Sequence, residues 1–124
     1  MNNVEFHDLV QFRIDQIKKV LQHKAAEYAH GDRLSNFKEA AKIQKITPEK
    51  TCVNFMMKHI VSILDIVNDL DKDRLATEDM LNEKIGDAIN YLILLDALFW
   101  ERHAQIPTET DERVNELVKD GKVK

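Results

Sequence analysis

Residues 78–103 read EDMLNEKIGDAINYLILLDALFWERH, and this stretch decides the fold. Met80, Leu81, Ile85, Ala88, Ile89, Leu92, Leu95 and Leu98 return at three- and four-residue steps, the period of an α-helix. Ala97, Phe99 and Trp100 widen the stripe until the middle of the segment is apolar nearly all round, as in a central, buried helix. Thr77-Glu78-Asp79 supplies a capping hydroxyl and two acids at the positive end of the helix dipole. Ile106-Pro107 breaks the pattern, so a helix is expected from Glu78 to about His103.

Working outward, Thr47-Pro48-Glu49 is the clearest helix start in the chain: a capping threonine, a proline with φ already set, and an acid in the first turn. From Pro48 to about Leu70 a wide stripe follows, carried by Val53, Phe55, Met56, Ile60, Ile63, Leu64 and Val67. The charged stretch Asp69–Arg74 reads as the connection to the next helix. Toward the N-terminus, Val4, Phe6, Leu9, Val10, Ile14, Ile17, Val20 and Leu21 mark one face of a helix from about Glu5 to about Tyr28, which meets the helix-ending Gly31. A short helix carried by Phe37, Ala40, Ala41 and Ile43 comes next, with Ser35 and Asn36 as candidate caps. A last short one is expected over Asp111–Lys119, and residues 120–124 read as a frayed tail.

The expected fold is therefore all-α: one domain over residues 1–124, an antiparallel bundle of three long and two short helices. Composition agrees. Three glycines and two prolines in 124 residues are too few turn-formers for a many-stranded sandwich or barrel. With 44% apolar and 32% charged residues the chain is neither disordered nor fibrous. The stripes on two helices are wider than one layer of neighbours covers, so oligomerisation to a dimer or tetramer is expected. A net charge of −4 argues against a general nucleic-acid-binding surface. Cys52 is the only cysteine, which points to a reducing, cytoplasmic setting, and Met1–Asp8 does not read as a signal peptide. The longest charge-free run, Ala88–Leu95, is too short to span a bilayer, so no membrane is expected.

Chemistry concentrates in three places. Glu83 and Asp87 are one helical turn apart, and Asn90 follows three residues later on the same side. Their neighbours Ile85, Ala88, Ile89, Leu92 and Ile93 are apolar, so Asp87 and Asn90 fall in or beside the buried stripe, where an ionised carboxylate is costly unless paired or bound to a metal. On the preceding helix Asp65 stands between Leu64 and Ile66, and antiparallel packing would let it face Glu83 and Asp87. Carboxylate oxygens converging there make a hard-cation site, with Mg²⁺ the expected ion. Lys58 is placed either to reach a phosphate or to snorkel from the bundle edge, whereas His59 reads as a structural histidine and Cys52 as a small core residue. The third place is the loop His30-Gly31-Asp32-Arg33 with Asn36-Phe37, which offers donors, acceptors and a ring to a base or sugar, or alternatively a helix-ending turn capped by Asp32.

His30-Gly31-Asp32, Asn36-Phe37, Met56-Met57-Lys58-His59 and Glu83-Lys84-Ile85-Gly86-Asp87-Ala88-Ile89-Asn90-Tyr91, in that order, resemble small phage and prophage domains related to MazG, the all-α nucleoside triphosphate pyrophosphohydrolases. The resemblance spans about Ala25 to Trp100. It implies an oligomeric helical protein that binds Mg²⁺ through Glu-x-x-Glu on one helix and Glu-Glu-x-x-Asp on the next, and that cleaves an NTP or dNTP between the α and β phosphates. On that pattern Asp65, Glu83 and Asp87 hold metal, and Lys58 steers phosphates. His30, Asp32, Arg33, Asn36, Phe37 and Asn90 bind substrate. Two positions depart from it: Ser62 stands where the first glutamate of the first motif belongs, and Lys84 where the second glutamate of the pair belongs. The alternatives are thus a Mg²⁺-dependent pyrophosphohydrolase and a non-catalytic helical protein that sequesters a nucleotide or binds and inhibits a host protein.

Overall fold

The computed structural model describes residues 1–27 and 31–105. Among them the chain is all-helical, with four α-helices and no strand: α1 Asn3–Glu27, α2 Ser35–Gln44, α3 Pro48–Asp69 and α4 Glu78–Gln105. The helix expected over Asp111–Lys119 and the breaker Ile106-Pro107 lie outside the described residues.

Local chemistry sets each start. Thr47 Oγ1 accepts the Lys50 amide at 3.1 Å, with Pro48 behind it, as the sequence leads one to expect. Thr77 Oγ1 accepts the Met80 amide at 3.2 Å and begins α4. Helix α1 starts two residues earlier than expected because Asn2 and Glu5 cap each other. Asn2 Oδ1 accepts the Glu5 amide at 2.9 Å while Glu5 Oε2 accepts the Asn2 amide at 3.0 Å.

Ser35 and Asn36 do not cap α2. The cap position belongs to Leu34, and Asp32 does the work from outside the helix: its Oδ1 accepts the Leu34 amide at 2.9 Å and its carbonyl the Ser35 amide at 3.3 Å. Gly31, at φ 85°, takes the left-handed geometry expected of it. Between α3 and α4 the charged connection winds into one 3₁₀ turn, Leu70–Lys72, closed by Asp73 at φ 57°.

Leu34, Phe37, Cys52 and Leu98 form the core, with Tyr91, Leu94, Leu95 and Ala97 packed against them. It sits where α2 and α3 meet the C-terminal half of α4. Three cross-contacts fix the α3–α4 register: Glu49 with Arg102, Cys52 with the Tyr91 carbonyl, and His59 with Asp87. Ascending α3 means descending α4, so this pair runs antiparallel. Helix α1 packs on α4, held by Arg13, whose guanidinium donates to the Asn82 carbonyl at 3.2 Å and to Asn82 Oδ1 at 2.9 Å.

Helix α4 is not buried all round. Ala88, Asn90 and Leu98 are buried, but Leu92 is 52% and Phe99 45% exposed. Periodicity reports how wide the apolar face is, and the described residues of α1, α2 and α3 leave part of it uncovered.

Two ion-pair clusters fasten the ends. Arg102 donates to both Glu49 carboxylate oxygens, at 2.6 and 2.7 Å. Lys38 bridges Asp32 at 2.7 Å and Glu101 at 2.8 Å. Arg102 holds the Glu49 carboxyl below its ordinary 4.5, and Lys38, with the Leu34 amide, holds Asp32 below 3.8. A depressed carboxyl contributes stability that is complete above its ordinary value and is lost as pH falls through the lowered one. Thermal unfolding followed from pH 7 down to pH 3 should therefore show the midpoint steady to about pH 5 and then dropping. In Glu49→Gln the midpoint should start a few degrees lower, and the drop should be shallower.

Candidate functional site

A cavity of about 170 Å³ opens where α1, the turn before α2, α3 and α4 converge. Its apolar wall is Phe37, Phe55, Tyr91 and Leu94, closed from α1 by Val20 and Leu21; its polar groups are Arg33, Asn36, Asp87 and Asn90. The rings are locked together: Phe37 meets Phe55 at 5.8 Å and Tyr91 edge-on at 6.5 Å. Phe37 is only 6% exposed, so it serves the core and the cavity at once. A second lobe of about 240 Å³ adjoins it, lined by Arg13, Gln16, Asn82, Glu83 and Gly86. Val20, Asp87 and Asn90 line both lobes.

Asn90, on the polar side, and His59, behind it against Tyr91 and Asp87, each carry a buried atom without a hydrogen bond. Asn90 is 92% buried, from 8% relative exposure, and its Oδ1 accepts no hydrogen bond. His59 is equally buried on α3, its ring against Tyr91 at 5.4 Å, and its Nδ1 also lacks a hydrogen-bond partner. That nitrogen stands 3.6 Å from Asp87 Oδ2, beyond a good hydrogen bond. Buried polar groups are nearly always satisfied, so two orphans beside one cavity mark it out from the rest of the molecule.

Of the residues singled out from sequence, Arg33, Asn36, Phe37, Asp87 and Asn90 come together here. Glu83 joins Asp87 in the second lobe, where Lys84 lies 3.8 Å from its carboxylate. Asp32 is turned away: its two oxygens serve Leu34 and Lys38, a structural use that sets it outside both lobes. Lys58 and Asp65 are exposed on α3 and line neither lobe. His30 lies outside the described residues, as does Tyr28.

The physical reason for Asp65 is rotation. His59 is the α3 residue that meets Asp87. Six residues further on, Asp65 stands about 9 Å along the axis and about 120° around it. Among the described residues no three His, Cys, Asp or Glu side chains gather closely enough to hold a metal ion. Among the described residues the exposed Glu83, beside Lys84, and the partly exposed Asp87 are the two acids of the second lobe. Phe55 and Tyr91 line the cavity and His59 stands behind it against Tyr91 and Asp87, although the sequence places Phe55 in the apolar stripe and reads His59 as structural. The spacing Asp87-x-x-Asn90-Tyr91 was the available signal for the tyrosine.

Cys52 stays inert. It is fully buried, its thiol donates to the Tyr91 carbonyl at 3.5 Å, and burial, with Glu49 nearby, pushes its pKa up to about 11.

No protein-family model matches this sequence, and no curated protein or solved structure matches it either. Among the described residues no helix is long and apolar enough to cross a membrane.

Proposed function

We propose that this chain is a helical nucleotide-binding protein that takes a base into the Phe37 cavity. The single observation that carries this reading is that Arg33, Asn36, Phe37, Asp87 and Asn90, drawn from two separate stretches of sequence, line one cavity. A flat ring gains about 1–3 kcal/mol from stacking on an aromatic side chain. Arg33 supplies the charge-assisted donor suited to a phosphate. The chain holds no metal of its own in this reading, so sequestration rather than turnover is the expected behaviour.

A second reading is Mg²⁺-dependent pyrophosphohydrolysis of an NTP or dNTP, cleaving between the α and β phosphates. It is favoured by one observation, that Glu83 and Asp87 line the same lobe beside the base cavity.

Several copies of the chain are part of the proposal. The helices form an antiparallel bundle that pairs with a second bundle, as a dimer or a tetramer. Large apolar side chains left in solvent support this: Val4 at 70% and Phe6 at 58% on α1, Leu64 at 55% and Val67 at 54% on α3, and Leu92 on α4. A cytoplasmic setting accords with Cys52 having no cysteine to pair with.

Calorimetry with the ribo- and deoxyribonucleoside triphosphates, in EDTA and in Mg²⁺, separates the readings when pyrophosphate release is followed in parallel. Saturable binding in EDTA with no pyrophosphate is the expected result. Mg²⁺-dependent release that disappears in Asp87→Asn would establish the enzyme instead. Absence of both heat and release across the panel would remove nucleotides from the function altogether and leave a protein partner as the target.

A further inference from the structure

From the polar chemistry of the cavity we infer that its ligand carries an exocyclic amino group, so that the site accepts cytosine or adenine and rejects uracil or hypoxanthine. The inference rests on the nucleotide-binding reading and adds a class of base to it. Asp87 and Asn90 are three residues apart on α4 and line both lobes. Asn90 Oδ1 is a buried acceptor with no donor. Among the described residues the partly exposed Asp87 carboxylate has His59 Nδ1 as its neighbour at 3.6 Å, too long for a good hydrogen bond. Two neighbouring acceptors beside an aromatic wall ask for a planar ligand that brings two N–H groups from one edge.

An amino group on a heterocycle meets that demand, with one hydrogen for each acceptor. Exchanging the amine for a carbonyl, as between cytosine and uracil or adenine and hypoxanthine, sets a third acceptor against the first two. Uracil and hypoxanthine keep one ring N–H at that edge and so serve at most one of the two acceptors; where Asn90 Oδ1 is the one left over, its burial adds a desolvation penalty to the lost bond. Shape hardly changes in the exchange, so stacking on Phe37 does not discriminate, and the polar pair alone sets the preference.

The test is calorimetric titration of the wild-type protein with cytidine, uridine, adenosine and inosine 5′-monophosphates in EDTA. Cytidine should bind at least tenfold more tightly than uridine, and adenosine at least tenfold more tightly than inosine. Asp87→Asn gives a side-chain amide that rotates to donate, so the ratio should collapse toward one in that variant, with folding verified by its thermal midpoint. Equal affinities within both wild-type pairs would overturn the amino-group inference and leave nucleotide binding standing. Failure of all four to bind would overturn the inference and the nucleotide reading together. The wild-type ratios decide the matter even if the variant does not fold.

Discussion

Replacing Phe37 with alanine is expected to destabilise the protein by about 3–5 kcal/mol, the usual loss for a buried phenylalanine. Phe37 is 6% exposed and is the one core residue whose ring touches both Phe55 and Tyr91. Its removal takes away burial and leaves a hole that α2, only ten residues long, is poorly placed to close. A domain of this size has about 5–15 kcal/mol in total, so the variant should unfold at much lower urea with an unchanged slope. Where it stays folded it should bind no nucleotide, since the stacking wall is gone. The conservative Phe37→Leu separates the two roles: it should recover most of the stability and little of the binding.

Asn90→Leu should move the two properties in opposite directions. The leucine keeps the branching of asparagine, its bulkier methyls have the adjoining cavity to enter, and it removes a buried acceptor that has no partner. Unmet buried groups cost about 1–3 kcal/mol, so the variant should be more stable by about 1 kcal/mol, with a midpoint a few degrees higher. Ligand binding should fall below detection in the same variant, because one of the two acceptors facing the base is lost. A side chain that weakens the fold where it stands and strengthens it when replaced is the mark of a residue kept for recognition. Lower stability in Asn90→Leu would mean instead that the amide is a structural group.

Much of the helical frame was legible because the signals are local. Thr47-Pro48-Glu49 and Thr77 specify two starts through one hydroxyl each, and the structure places α3 and α4 within about two residues of the expected bounds. The early start of α1 rests on Asn2 and Glu5, three apart, a polar signal that the apolar period does not carry. What covers each apolar face was not legible. The period on α4 is the same whether Leu92 and Phe99 meet another helix of this chain, another copy, or solvent.

The candidate site divides along the same line. Asp87 and Asn90 share a face by spacing alone, and Asn36 and Phe37 follow from the start of α2. Their meeting depends on how α2 and α4 pack, which is set by a core, Leu34, Phe37, Cys52 and Leu98, drawn from three separate parts of the chain. Asp65 shows the converse. Its spacing from apolar neighbours looked inward, yet the face α3 turns to Asp87 is fixed by His59 and Cys52, and rotation carries Asp65 away from it. His59 is not legible in this way, because a lone histidine on an apolar helix has no sequence mark that distinguishes packing from contact with an acid on another helix.

Amide chemical shifts during titration with cytidine 5′-monophosphate test the central claim most directly, since they report where a ligand sits without requiring turnover. The expected result is saturable movement concentrated at residues 33–37 on the α2 side and 87–94 on α4, with the exposed end of α3 near Asp65 unmoved. Shifts confined to any other surface, or none at all at saturating nucleotide, would contradict the assignment of this cavity to a base.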